Sequence, residues 1–340
     1  MAKANRVLVS DGGRRDCRVR TRLLSRSAIL LLSVAMGSAG CGATDKVTAP
    51  PAGWDTWVHT SGPGGEPVRA LAAKGTTIFA GTDVGGVYRS INNGASWTAV
   101  NSGLNSAGSS PYVSALAVSG TTVFAGIVNK GMYRSTDNGV SWTAANNGLT
   151  SATVLTLAVS GTTVFAGTAG GGVVRSRNNG GIWTPVALGG STVHALAVNG
   201  SGLFAGTASG EVVRSTDDWV TWTAVSIAPP NTPVVSLTVS GTSLFAGTEG
   251  CGVYRSTDDG ASWTAVDNGL TNTTVRSLLV NGDNLFAGTN GGGVFRSTDN
   301  GASWTAVCNG LTCTKVLAFA VRGACLFAGT DGGGVWRLPL

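Results

Sequence analysis

Residues 286 to 304 read FAGTNGGGVFRSTDNGASW, and the same phrase returns with few changes as FAGTEGCGVYRSTDDGASW at 245 to 263 and FAGTDVGGVYRSINNGASW at 79 to 97. Its opening Phe-Ala-Gly-Thr begins at Phe79, Phe165, Phe204, Phe245, Phe286 and Phe327, with Phe-Ala-Gly-Ile at Phe124, so seven copies follow one another 39 to 45 residues apart. Before each lies an alternating apolar segment such as Val113 to Val118. After it come a glycine turn, a short Val-Tyr-Arg-Ser run and an octapeptide ending in Trp. Four β-prone runs per copy, broken by Ser-Gly-Thr, Gly-Gly-Gly and Asp-Asn-Gly turns, describe a four-stranded antiparallel meander. A sheet of that size cannot bury both faces alone, so successive copies must stack, and this period with four strands is the signature of a propeller blade.

The expectation is therefore an all-β fold, a seven-bladed β-propeller of four-stranded blades over residues 54–340. The seventh copy stops at Leu340 after its third strand. Trp57 precedes Val68 by 11 residues much as Trp142 precedes Val154 by 12, so residues 54 to 60 are predicted to supply the missing outer strand. Joining both chain ends in one sheet leaves no unpaired edge at the seam.

The octapeptide reads SINNGASW at 90 to 97, STDNGVSW at 135 to 142, SRNNGGIW at 176 to 183, STDDWVTW at 215 to 222, STDDGASW at 256 to 263 and STDNGASW at 297 to 304. These segments resemble the Asp-box, S-x-D-x-G-x-x-W, of the BNR repeat family. That family includes sialidases, sortilin-type receptors, two-propeller xyloglucanases and photosystem II assembly factors of the Ycf48 type, and the likeness covers about 285 residues. The residue types explain a structural role. Asn92, Asp137, Asn178, Asp217, Asp258 and Asp299 accept hydrogen bonds from their own turns, the glycine takes positive φ, and Trp97, Trp142, Trp183, Trp222, Trp263 and Trp304 bury a large ring between blades. Trp219 stands where the other copies have Gly and is expected to distort its turn.

Charge places the remaining segments. Of 23 basic and 17 acidic residues, eight and two fall in the first 41 positions, which leaves 15 of each beyond them and no footprint for nucleic acid. An arginine-rich stretch to Arg26, the apolar run Ala28 to Met36 and small residues before Cys41 form the order of an export signal. The apolar run is too short for a membrane-spanning helix, which needs about 20 residues. Ser38-Ala39-Gly40-Cys41 resembles a bacterial lipobox, which implies cleavage before Cys41, lipidation of that cysteine and location in the cell envelope, with membrane contact through the lipid only. Plain secretion is the alternative. Residues 42–53 read as a polar tether.

Function is sought where the copies differ. Loops after the second and fourth strands share the face opposite the octapeptides. There the non-repeated residues are Asp83, Asn129, Lys130, Glu249, Asn290, Asp331, the insertion from Asn105 to Pro111 with Tyr112 behind it, and Pro229 to Pro233. Near the starts of innermost strands, Arg69, His194 and Arg276 replace Ser114, Leu155, Val235 and Leu317 of other copies. These residues are the ligand-binding candidates. Arginines at 89, 134, 175, 214, 255, 296 and 337 recur once per copy and read as architecture, packing their stems across the sheet, rather than as the arginine triad of a sialidase.

No catalytic set emerges. A two-carboxylate glycoside hydrolase drawing on Asp83, Glu249 or Asp331 is the alternative to a binding protein, but no spacing selects a pair. His59 and His194 are the only histidines and match no metal motif, and the glycines sit in hairpins rather than before a phosphate-binding helix, so no metal or cofactor is expected. Cys308 and Cys313 flank an Asn-Gly-Leu-Thr turn and are candidates for a disulfide. The reading is a monomeric, non-catalytic propeller that binds a protein or glycan partner.

Overall fold

The computed structural model describes residues 5–6, 56–104 and 110–340; the export-signal and tether readings, Cys41 included, lie outside them, as do residues 105–109 of the insertion. Seven sheets are arranged as blades, each a meander from an innermost strand outward. Blade 1 is Val68–Lys74, Thr77–Thr82, Val87–Ser90 and Thr98–Ala99. Blades 2 to 6 start at Val113, Val154, Val193, Val234 and Val275. Blade 7 holds Val316–Arg322, Cys325–Thr330 and Val335–Pro339, and its outer strand is Val58–His59, antiparallel with Val58 opposite Arg337. The predicted closure is thus present.

Seven apolar clusters fill the seven interfaces, since each joins residues of two neighbouring blades: Phe79 packs with Val113 and Trp142, and Phe327 with Val68. The repeat phrase follows from this packing. The glycine of Phe-Ala-Gly-Thr lies against the first valine of the next blade, and a Cβ on Gly81 would sit 2.4 Å from Val113. The same approach recurs round the ring to Gly329 and Val68, so only glycine fits. Phe79, Phe124, Phe165, Phe245, Phe286 and Phe327 are fully buried.

The octapeptides form tight turns. In the second, Asp137 Oδ1 accepts from the Ser135 hydroxyl at 2.7 Å and the Ser141 amide at 2.9 Å, and Asn138 and Gly139 both take positive φ. The Ser141 hydroxyl, then its amide, hold the Asp137 carboxyl down at about 2. Asn92 and Asn178 accept the equivalent amides, from Ser96 and Ile182 at 2.9 Å. The expected distortion at Trp219 does not take the form of a changed backbone region. Its φ of 70° stays in the left-handed region of the glycines, and its ring fills the space over Phe165, edge to face at 4.8 Å.

Trp142, Trp183 and Trp304 are buried between blades, donating Nε1–H to Val100, Ala145 and Val266 carbonyls of the preceding blade at 2.7 to 2.8 Å. Trp97, Trp222 and Trp263 are half-buried and bond elsewhere, Trp222 and Trp263 to carbonyls of their own turns. The last two follow blades 3 and 4, whose outer strands are four residues long instead of two.

The recurring arginines are architectural by a different contact from the one expected. Arg89, Arg134, Arg214, Arg255 and Arg337 each donate Nη1–H to an octapeptide carbonyl of the next blade, as Arg89 does to Asn138 at 2.9 Å. Arg175 faces Trp219 and lies over its ring at 5.1 Å. In these six copies the guanidinium is therefore an inter-blade clasp; Arg296 Nε donates to Asn284 Oδ1 of its own blade at 2.7 Å. No disulfide joins Cys308 and Cys313: the Cys308 thiol lies 3.4 Å from the Val294 carbonyl and that of Cys313 3.3 Å from the Asp331 carbonyl. Each sulfur is drawn to its own backbone acceptor.

Candidate functional site: the channel mouth

The innermost strands surround a central channel of about 280 Å³. Its rim is one residue from each blade, the second of every innermost strand: Arg69, Ser114, Leu155, His194, Val235, Arg276 and Leu317. Copies that share a fold need the same residue types for packing. Three copies that place cationic or ionisable side chains where the others have Ser, Leu or Val have departed from that need at one mouth.

A second ring of positions lies beside the first. The residue after Phe-Ala-Gly-Thr or Phe-Ala-Gly-Ile donates its amide to the carbonyl just before the first innermost-strand valine of its own blade: Asp83 to Pro67, Val128 to Tyr112, Glu249 to Pro233 and Asp331 to Lys315, at 3.0 to 3.2 Å. This repeated bond holds the loop carboxylates at the rim. Arg69 Nε and Nη2 donate to the two oxygens of Asp83 at 2.7 and 2.8 Å, a bidentate pair. That bond, opposed by burial, raises the Arg69 guanidinium further. Tyr112 faces the same guanidinium at 5.8 Å, and burial, with Asp83 adding to it, pushes its phenol up.

On other blades Arg276 Nη1 pairs with Glu249, bridging blades 5 and 6. His194, half-buried, stands between Leu155 and Val235 in blade order, and burial pushes its imidazole down, with Glu249 acting against and Arg276 with that shift. Lys315 adds a third pair, Nζ 3.5 Å from Asp331. The structure thus gathers Arg69, Tyr112, Asp83, His194, Glu249, Arg276 and Asp331 at one mouth. Of the candidates, Arg69, His194 and Arg276 line the channel itself; Lys130 lies in the blade 2 loop, where its carbonyl accepts from Asn146 Nδ2 at 3.2 Å. Sequence reasoning missed Lys315. Its signal was the register: it fills the position of Tyr112 in its own copy.

The mouth therefore offers three ion pairs, a phenol and an imidazole on an otherwise aliphatic and Ser-lined ring. Such a set can orient a polar ligand. Among the described residues no group of three His, Cys, Asp or Glu side chains is placed to hold a metal ion.

With that geometry in view, comparison with solved structures identifies the fold. The chain is similar to YCF48 bound to D1 peptide, with a TM-score of 0.67 at 14% identity over 86% of this chain and 99% of that one. It is similar also to the extracellular domain of BT4673 from B. thetaiotaomicron, at 0.69 and 16% over 84% of this chain but 40% of that one. An ancestral GH74 enzyme gives 0.64 and 16%, over 82% and 48%. These are β-propellers, and identities this low carry the fold alone. No family model and no curated protein sequence matches the chain.

Proposed function

We propose that this chain is a non-catalytic binding propeller that takes a polypeptide partner at the channel mouth. The observation that carries this reading is that Arg69, His194 and Arg276, which break the repeat, all stand on one rim. Arg276 alone of the three bridges two blades, through Glu249, and the other four copies keep Ser, Leu or Val at this position, so the shared departure calls for another reason. The peptide held by YCF48 supports a polypeptide ligand for a propeller of this size.

Against the glycoside hydrolase stands the state of the acids. Asp83, Glu249 and Asp331 each face a cation, so a proton donor and nucleophile would have to be freed from ion pairs first. We further read the octapeptides as Asp-boxes of the BNR type, a reading that their side-chain turns and αL glycines support. The cell-envelope lipoprotein, anchored through Cys41, belongs to the same proposal; labelled palmitate should enter the native protein and not a Cys41→Ala variant.

The test returns the rim to the repeat, with Arg69→Ser, His194→Leu and Arg276→Val together. Crosslinking in cells should capture a partner with the native chain and lose it with the variant, while both proteins still unfold in one cooperative transition. The same partner recovered from both, or turnover of aryl glycosides by the native protein, overturns the proposal. Capture of glycans instead of polypeptide moves the ligand class.

A further inference from the structure

The outer edges of the blades are unequal. In blades 1, 2, 5, 6 and 7 the outermost strand has two residues, too short to template another strand. Blade 3 has four, Thr184–Ala187, but its second residue is Pro185, and the pairing there carries a register shift between Val173 and Val174. Proline at an edge removes the outward N–H on which an added strand would pair. Blade 4 alone offers a four-residue edge without proline or charge, Thr223-Ala224-Val225-Ser226.

The direction of its backbone groups follows from the ladder. Val225 lies opposite Val212, and Ile227 donates inward to the Gly210 carbonyl at 3.1 Å. Backbone groups of an antiparallel strand alternate in direction. Thr223 and Val225 therefore bond inward, while the N–H and C=O of Ala224 and Ser226 point out of the sheet. Ala224 follows its Trp by two residues, as Pro185 does in blade 3, so the position that blade 3 blocks is open in blade 4. Val220, three residues before this strand and 70% exposed, is the most exposed large apolar side chain of the described residues. The edge is also occupied: the backbone of Asn5–Arg6 lies along it as a fifth strand, parallel, with Asn5 opposite Thr223 and Arg6 opposite Ala224.

We propose that the outer edge of blade 4 is a strand-acceptor site, a second interaction surface apart from the channel mouth, which takes an extended polypeptide segment as an added parallel strand. Main-chain bonds from Ala224 and Ser226 supply the register, and Val220 an apolar contact at its start. The chain's own Asn5–Arg6 shows the mode. Those two residues belong to the segment read above as an export signal, and its removal would vacate the edge for another polypeptide. The site does not depend on the ligand of the mouth.

The test uses the full chain carrying Asn5→Pro and Arg6→Pro, which removes the internal strand, and a fluorescent peptide of residues 2 to 10, AKANRVLVS. Saturable binding is expected, with exchange of the Ala224 and Ser226 amides slowed at least tenfold and that of Val225 unchanged. Adding Ala224→Pro, which copies the neighbouring blade and breaks no inward bond, should abolish binding at an unaltered melting temperature; Ser226→Pro serves if that variant misfolds. No binding, binding indifferent to both prolines, or protection elsewhere overturns the site.

Discussion

Trp57 Nε1 donates to the Val307 carbonyl at 2.7 Å, across 250 residues of chain. It is the bond that Trp142 makes to Val100 and Trp304 to Val266, made at the seam where the chain's two ends meet. The Trp57 amide also bonds to the Asn309 carbonyl at 2.8 Å, as the Trp142 amide does to Ser102. Trp57 is 2% exposed, so seam and ordinary interface are equivalent in packing as well.

Trp57→Phe should accordingly cost about 1–2 kcal/mol, because it keeps the ring and strands the Val307 carbonyl. Trp57→Ala should cost about 3–5 kcal/mol. Urea unfolding of the two variants checks this; equal, negligible losses would show a ring that does not depend on its seam.

Gly301 has φ of 84°, and a Cβ there would lie 2.9 Å from the Phe245 ring of the preceding blade. Gly301→Ala should destabilise by about 2 kcal/mol or more, from αL strain together with displacement of a fully buried ring. The expected readout is a lower unfolding midpoint with an unchanged denaturant slope.

The octapeptide acids predict an acid limb. Asp137 is held at about 2 by the Ser141 hydroxyl first, and Asp217 at about 2 by that of Thr221. Asp258 reaches about 2 as well, although burial opposes the Ser262 bonds that lower it. A carboxyl lower in the folded than the unfolded chain adds stability above its unfolded pKa of about 3.9, lost as pH falls towards the folded value. Stability should therefore drop between about pH 4 and 2. Asp137→Asn, Asp217→Asn and Asp258→Asn together should flatten that limb while leaving the turns formed, as Asn92 and Asn178 show. A limb as steep as in the native chain would place the loss elsewhere.

At the mouth, Arg69 and Asp83 form a bidentate pair whose carboxylate is 17% exposed and guanidinium 35%. A double-mutant cycle with Arg69→Ser and Asp83→Ala should return a coupling of about 1 kcal/mol, discounted for the solvent that reaches the arginine. A coupling near zero would make the pair a surface contact of no energetic weight.

The amino-acid sequence encodes the blade locally. Six copies of Phe-Ala-Gly-Thr, one of Phe-Ala-Gly-Ile and six octapeptides with fixed spacing set the strand count, the turns and the ring closure at Trp57, since local turn chemistry and β-alternation are written residue by residue. It also marked Arg69, His194 and Arg276, because a residue that leaves a repeat is visible without coordinates. Side-chain partners across the blade interfaces came only with the assembled ring. Five of the recurring arginines clasp the next blade's turn, Trp219 replaces a glycine by filling the space over Phe165, and Arg276 finds its carboxylate on blade 5. The cysteines at 308 and 313 met separate acceptors. Such contacts depend on how far one sheet is turned against its neighbour, a quantity set by the packed ring as a whole and by no single stretch of chain.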